Sequence, residues 1–109
     1  MATGLGEFEQ IVLLAILRLG DAAYGVTIQA EIAQHTGRAP SPGALYTTLD
    51  RVEEKGFVVS RLGDPTPQRG GRAKRYFKVT KAGIEAVKRA QRAYQSLLDG
   101  LKIIGAVRV

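Results

Sequence analysis

Ser41-Pro42-Gly43-Ala44-Leu45-Tyr46-Thr47-Thr48-Leu49-Asp50-Arg51-Val52-Glu53-Glu54-Lys55-Gly56-Phe57 carries both ends of a helix and both of its faces. Ser41 offers a hydroxyl to cap the first turn, and Pro42 falls at the first helical position, where a missing N–H costs nothing. Proline also pushes Ser41 toward the extended backbone an N-cap needs. Lys55, Gly56 and Phe57 supply a cation in the last turn, a glycine at C′ and an apolar residue at C″, the signature of a Schellman stop. At 100° per residue, Leu45, Thr48, Leu49 and Val52 gather on one side. Gly43, Thr47, Asp50, Arg51 and Glu54 gather on the other, with Ala44 and Tyr46 on the flanks.

Upstream, the spacing of Phe8, Ile11, Val12, Ala15, Ile16 and Leu19 predicts a first helix over 5–19, stopped by Gly20. Leu13, Leu14 and Leu17 extend its apolar surface around much of the cylinder, so it needs cover on two sides. That cover is either the rest of one subunit or a second copy. Tyr24, Ile28 and Ile32 predict a second helix over 24–36, with Gly37 as its cap.

Downstream the period changes from 3.6 to 2. Residues 57–62 read as a strand, 63–71 as a Gly- and Pro-rich turn, and 74–79 as the return strand. Thr80 opens a fourth helix. Along it Gly83, Val87, Ala90, Tyr94, Leu97, Leu101 and Ile104 follow alternating steps of four and three, an apolar seam of heptad type. Gly100 weakens this helix locally, and residues 105–109 read as a frayed tail. The expected fold is mainly α with a two-stranded β wing. A winged helix-turn-helix spans 1–79, and a C-terminal dimerisation helix spans 80–104 of the same single domain.

The chain has 109 residues, 16 Lys and Arg against 10 Asp and Glu, and a net charge of +6. The imbalance is uneven. Residues 1–36 hold one basic residue and four acids, leaving the surplus of cations to residues 37–109. A polyanion such as double-stranded DNA is the expected partner, and it should meet the later part of the chain. Within the third helix, Ser41, Gly43, Ala44, Tyr46, Thr47 and Arg51 are the expected DNA contacts. Two are small enough for close approach, and the others carry hydroxyl or guanidinium groups for bases and phosphates. In the hairpin, Arg69, Gly70, Gly71, Arg72, Lys74 and Arg75 are the expected wing contacts, cations beside a permissive glycine pair. Alternation sends Arg75 and Phe77 to the face opposite Lys74, Tyr76 and Lys78.

Other classes find little support. The chain has one histidine, His35, and no Ser/His/Asp set, metal-ligand cluster or phosphate loop, so no enzyme, metal or cofactor is expected. With no cysteine there is no disulfide framework, which fits a cytoplasmic protein. The longest apolar run, Ile11 to Leu17, is far short of the roughly 20 residues that span a bilayer, and no signal peptide opens the chain, so no membrane association is expected. The alternative to a DNA-binding regulator is a winged-helix protein-interaction module that binds no specific DNA.

These motifs together resemble the PadR family of bacterial transcriptional regulators. The resemblance rests on Gly6-Glu7-Phe8-Glu9, Ala23-Tyr24-Gly25-Val26, the third helix from Ser41 to Leu49, Glu53 to Val58, Arg69 to Phe77, and Thr80-Lys81-Ala82-Gly83. It implies a homodimer built through the C-terminal helix, often with the first helix participating. It also implies an inverted-repeat operator and repression relieved by a signal, such as a small-molecule inducer whose identity the resemblance does not give. Two-fold symmetry then sets the two recognition helices about 34 Å apart, in successive major grooves. The chain resembles the short branch, without the long C-terminal helical domain of the members that respond to phenolic acids. It also has no tryptophan, so the stacking of planar ligands seen in some short members is not carried over. Tyr94 and Phe8 read as core packing before they read as the lining of a ligand cavity.

Overall fold

The computed structural model of the chain describes residues 4–63 and 73–101. Three helices come first: α1 (Glu7–Leu19), α2 (Gly25–Thr36) and α3 (Pro42–Glu54). A two-stranded sheet, β1 (Val58–Leu62) and β2 (Arg75–Val79), and a last helix, α4 (Lys81–Leu98), complete the order. This is the expected winged helix-turn-helix with a C-terminal helix. Helix α1 starts two residues later than expected, because the Gly6 amide donates to Glu9 Oε1 at 2.7 Å and fixes the first turn there.

The ends of α3 form as their sequence dictates. Ser41 Oγ accepts the Ala44 amide at 3.1 Å. At the other end Phe57 N–H donates to Val52 O and Gly56 N–H to Glu53 O, both at 2.9 Å. Gly56 sits at φ 83, where a β-carbon would be strained. The face toward α1 and α2 buries Leu45, Thr48, Leu49 and Val52, and no other residue of the helix is buried. Leu45, Leu49 and Val52, with Val12, Leu13 and Ile16 of α1, Ile28 and Ile32 of α2, Phe57, and Val58, Phe77 and Val79 of the sheet, form one core. Burying each such side chain contributes about 1.5–3 kcal/mol. Removing Leu49 down to alanine would cost about 2–5 kcal/mol.

The strands pair antiparallel from Val58↔Val79 to Leu62↔Arg75. Strand β2 is paired on its other edge too. Phe77 N–H donates to Ala23 O at 2.9 Å, and Tyr24 bridges Tyr76. Ala23 and Tyr24, just before α2, thus act as a minimal third strand, tying the wing to the start of α2.

Helix α4 is seated by Thr80. Its hydroxyl accepts the Gly83 amide at 3.1 Å and donates to Gly56 O at 2.7 Å, and its own amide donates to Phe57 O at 2.9 Å. Gly83 lies so close that a β-carbon would stand 2.2 Å from the Phe57 carbonyl oxygen. The helix was expected to continue to Ile104, but it ends at Leu98. Asp99 leaves helical geometry, and Gly100 turns the chain at φ 84. Leu101 is therefore beyond the helix, and its amide closes a turn onto Leu98 O. Ile104 and the 105–109 tail lie outside the described residues.

Candidate nucleic-acid interface

The face of α3 turned away from the core is open. Ser41, Gly43, Ala44, Tyr46, Thr47, Asp50, Arg51 and Glu54 are all exposed. A β-carbon at Gly43 would meet nothing within 4 Å, so the backbone there is free to approach a partner. Ser41 spends its hydroxyl as the N-cap. Its contribution to an interface is therefore to present the first turn with its amides outward, an arrangement that favours anions.

Tyr46 is flanked rather than free-standing. Its ring and hydroxyl occupy the space where a side chain on Gly25 would start, with Tyr46 Oη 2.0 Å from an ideal β-carbon on Gly25. Tyr46 thereby covers the first turn of α2. Next to Gly25, the Tyr24 ring meets the Tyr76 ring edge-on at 5.4 Å between centroids. The Lys74 ammonium lies 5.3 Å above Tyr24, and the Arg61 guanidinium lies 4.9 Å above Tyr76. The exposed end of α3 and the base of the wing are thus joined through Tyr24 and Gly25. Tyr24, Tyr76 and Arg61 were missed as site residues. Their pairing is non-local, and the only signal was the Ala23-Tyr24-Gly25 run, which carries no message about Tyr76 by itself.

The wing residues divide. Lys74 and Lys78 are exposed, while Phe77 is buried, as the alternation predicts. Arg75 is turned toward α3. It donates to Asp50 Oδ1 at 3.3 Å, to Glu53 Oε1 at 2.5 Å and to Ser60 Oγ at 3.2 Å. Arg69, Gly70, Gly71 and Arg72 lie outside the described residues.

Two ion clusters stand apart from this face. Lys55 Nζ holds both oxygens of Glu9, at 2.9 and 3.0 Å, and also donates to Gly4 O. Burial pushes the Glu9 carboxyl up, but the Gly6 amide, the Lys55 ammonium and the more distant charge of Arg51 outweigh it, and its pKa lies below the usual value. The Arg18 hydrogen bond, against a smaller effect of burial, holds Glu31 below its usual range, with His35 adding to the lowering. His35 Nε2 is 3.0 Å from Glu31, which accounts for the single histidine. Among the described residues no group of His, Cys, Asp and Glu is placed to hold a metal ion, and no helix is long and apolar enough to cross a membrane.

Along α4 the expected seam has two parts. Gly83 is buried, and Val87 and Ala90 are partly covered within the chain. Tyr94, Leu97 and Leu101 are exposed, Leu97 to 76%. On α1, Leu14 and Leu17 are likewise nearly half exposed, so the single chain covers only one side of that helix.

A three-helix unit with an open third helix and a basic, aromatic-braced hairpin defines a winged helix-turn-helix protein of the regulator type. Residues 13–89 match the model of the transcriptional regulator PadR-like family, and the chain belongs to that family. It is 38% identical over 76 residues to Transcriptional regulator Rv3488 of Mycobacterium tuberculosis, a match that spans 68% of this chain and 64% of that protein. A transcriptional regulator from Clostridium thermocellum superposes with a TM-score of 0.69 at 23% identity, covering 90% of this chain and 89% of the other. A PadR family transcription regulator from Clostridium difficile superposes with a TM-score of 0.68 at 20% identity, covering 92% and 97%. The family and the relatives named here are transcriptional regulators, not enzymes.

Proposed function

We propose that the chain is a sequence-specific DNA-binding repressor that works as a homodimer on an inverted-repeat operator. The observation that carries this reading is the state of α3: one face locked into the core, the other presenting Gly43, Ala44, Tyr46, Thr47 and Arg51 to solvent. A helix held this way can enter a major groove with its N-terminal half against base edges. Lys74 at the base of the wing, together with Arg69 and Arg72 flanking Gly70 and Gly71, supplies phosphate contacts. The second copy covers the exposed apolar side chains of α4 and α1, namely Tyr94, Leu97, Leu101, Leu14 and Leu17. Leaving such a stripe in water is costly for a domain of this size.

The test is binding of the full-length protein to duplexes selected from a random pool, titrated with salt. Specific binding should weaken with a log–log slope of roughly −0.9 per phosphate contacted. Thr47→Ala should weaken the selected site by about 1–3 kcal/mol and competitor DNA much less. Lys74→Ala should weaken both and flatten the slope by about one phosphate. A protein that shows no preference for any duplex over competitor at moderate salt is not a sequence-specific regulator.

A further inference from the structure

The wing brings an arginine to a place where a direct phosphate contact is not its best use. The Arg75 guanidinium is shared among three elements: Asp50 and Glu53 on α3, Ser60 on β1, and its own strand β2. Ser60 Oγ donates in turn to the second oxygen of Glu53 at 2.9 Å, closing the network. The guanidinium also lies over the buried Phe77 ring, 4.9 Å from its centroid. The register Leu62↔Arg75 and Ser60↔Phe77 aims this side chain at α3, away from Lys74 and Lys78. Asp50 is on the open face of α3, one turn beyond Tyr46 and Thr47, and its side chain is two-thirds exposed. Two carboxylates so close to a groove-reading surface would repel a polyanion unless a cation answered them.

We propose that Arg75 is a positioning residue: it ties the recognition helix to the wing and offsets one of the two negative charges of Asp50 and Glu53, so that DNA meets less repulsion there. The proposal rests on the DNA-binding reading above and moves Arg75 out of the set of phosphate contacts. Lysine would not replace it. A single ammonium cannot reach Asp50, Glu53 and Ser60 at once or stack on Phe77, whereas the planar fork of arginine does both.

The test is a binding cycle read by fluorescence anisotropy. The four proteins are wild type, Arg75→Gln, Asp50→Asn with Glu53→Gln, and the triple variant, each titrated with the selected duplex at several salt concentrations. In the wild-type background Arg75→Gln should weaken binding roughly fivefold to thirtyfold. In the background lacking both acids the same change should cost less than about twofold, because the groups it served are already neutral. The salt slope should stay at its wild-type value, and Arg75→Lys should recover little of the loss. An equal loss in both backgrounds, a slope lowered by about 0.9, or near-complete rescue by lysine would each show Arg75 on a phosphate and overturn the proposal. If wild type binds no preferred duplex, the proposed function fails on its own account. The tie is then read from melting midpoints of the same four proteins, where additivity would reject it.

Discussion

Gly83→Ala places one methyl group between α4 and the end of α3, and two effects of opposite sign decide the outcome. Alanine is favoured over glycine in a helix by up to about 1 kcal/mol. Against this, the new β-carbon would lie 2.2 Å from the Phe57 carbonyl oxygen and 2.7 Å from Val79 Cγ1. Relief needs a shift of about 1 Å toward ordinary van der Waals separation. The carbonyl is poorly placed to give way. It accepts the Thr80 amide at 2.9 Å, and Phe57 is buried with its own amide closing the Schellman turn. Val79 is buried as well. Overpacking of this kind costs about 1–3 kcal/mol, so the clash outweighs the gain in helix propensity. A net loss of about 1–2 kcal/mol lowers the melting midpoint by about 4–8 °C per kcal/mol for a domain near this size. Thermal melts followed by circular dichroism, at one fixed chain concentration, measure it. A midpoint equal to or above wild type would show that α4 is not seated on the Phe57 carbonyl.

Three further outcomes follow from the same geometry. Gly25→Ala pushes only the far end of the Tyr46 side chain, which can swing away, so stability should change by less than about 1 kcal/mol while selected-site binding falls as it does in Tyr46→Ala. Loss of fold instead of binding would refute that placement. Leu97→Glu alters a side chain that is 76% exposed in the single chain, so the folded helical signal should be kept while the light-scattering mass drops from two chains to one and the melting midpoint falls and loses its dependence on concentration. A mass still equal to two chains would remove α4 from the interface. Glu9 has a depressed pKa in the folded chain, so its stabilising contribution is present above the usual carboxylate range and is lost as pH falls through the folded value. Glu9→Gln should therefore be less stable than wild type at neutral pH, with the gap closing on acidification. A gap that stays constant down to low pH would deny the Lys55 pairing.

What could be read from the sequence was what local chemistry decides. The ends of α3 depend on Ser41, Pro42, Gly56 and Phe57 and on nothing far away, and its buried face follows from rotation about one axis. The alternation of β2 placed Arg75 and Phe77 together on one side, but alternation names a side and not its contents. It could not show that the side shared by Arg75 looks onto Asp50 and Glu53, which lie 25 and 22 positions away. The Tyr24–Tyr76 bridge was hidden for the same reason. At Gly100 the error was one of degree: a local weakening was expected, yet with Asp99 already extended the helix had no reason to resume.

Strand β2 is held on both edges, by β1 and by Ala23 and Tyr24, so the two strands are tied to the start of α2 as one head. In the proposed dimer, a head tied in this way has little freedom to change its own angle for half-sites that are spaced differently. In that dimer, any accommodation would fall to the joint where Gly83 of α4 rests on the Phe57 carbonyl. That joint is close-packed, so on this reading the operator should tolerate an inserted base pair poorly.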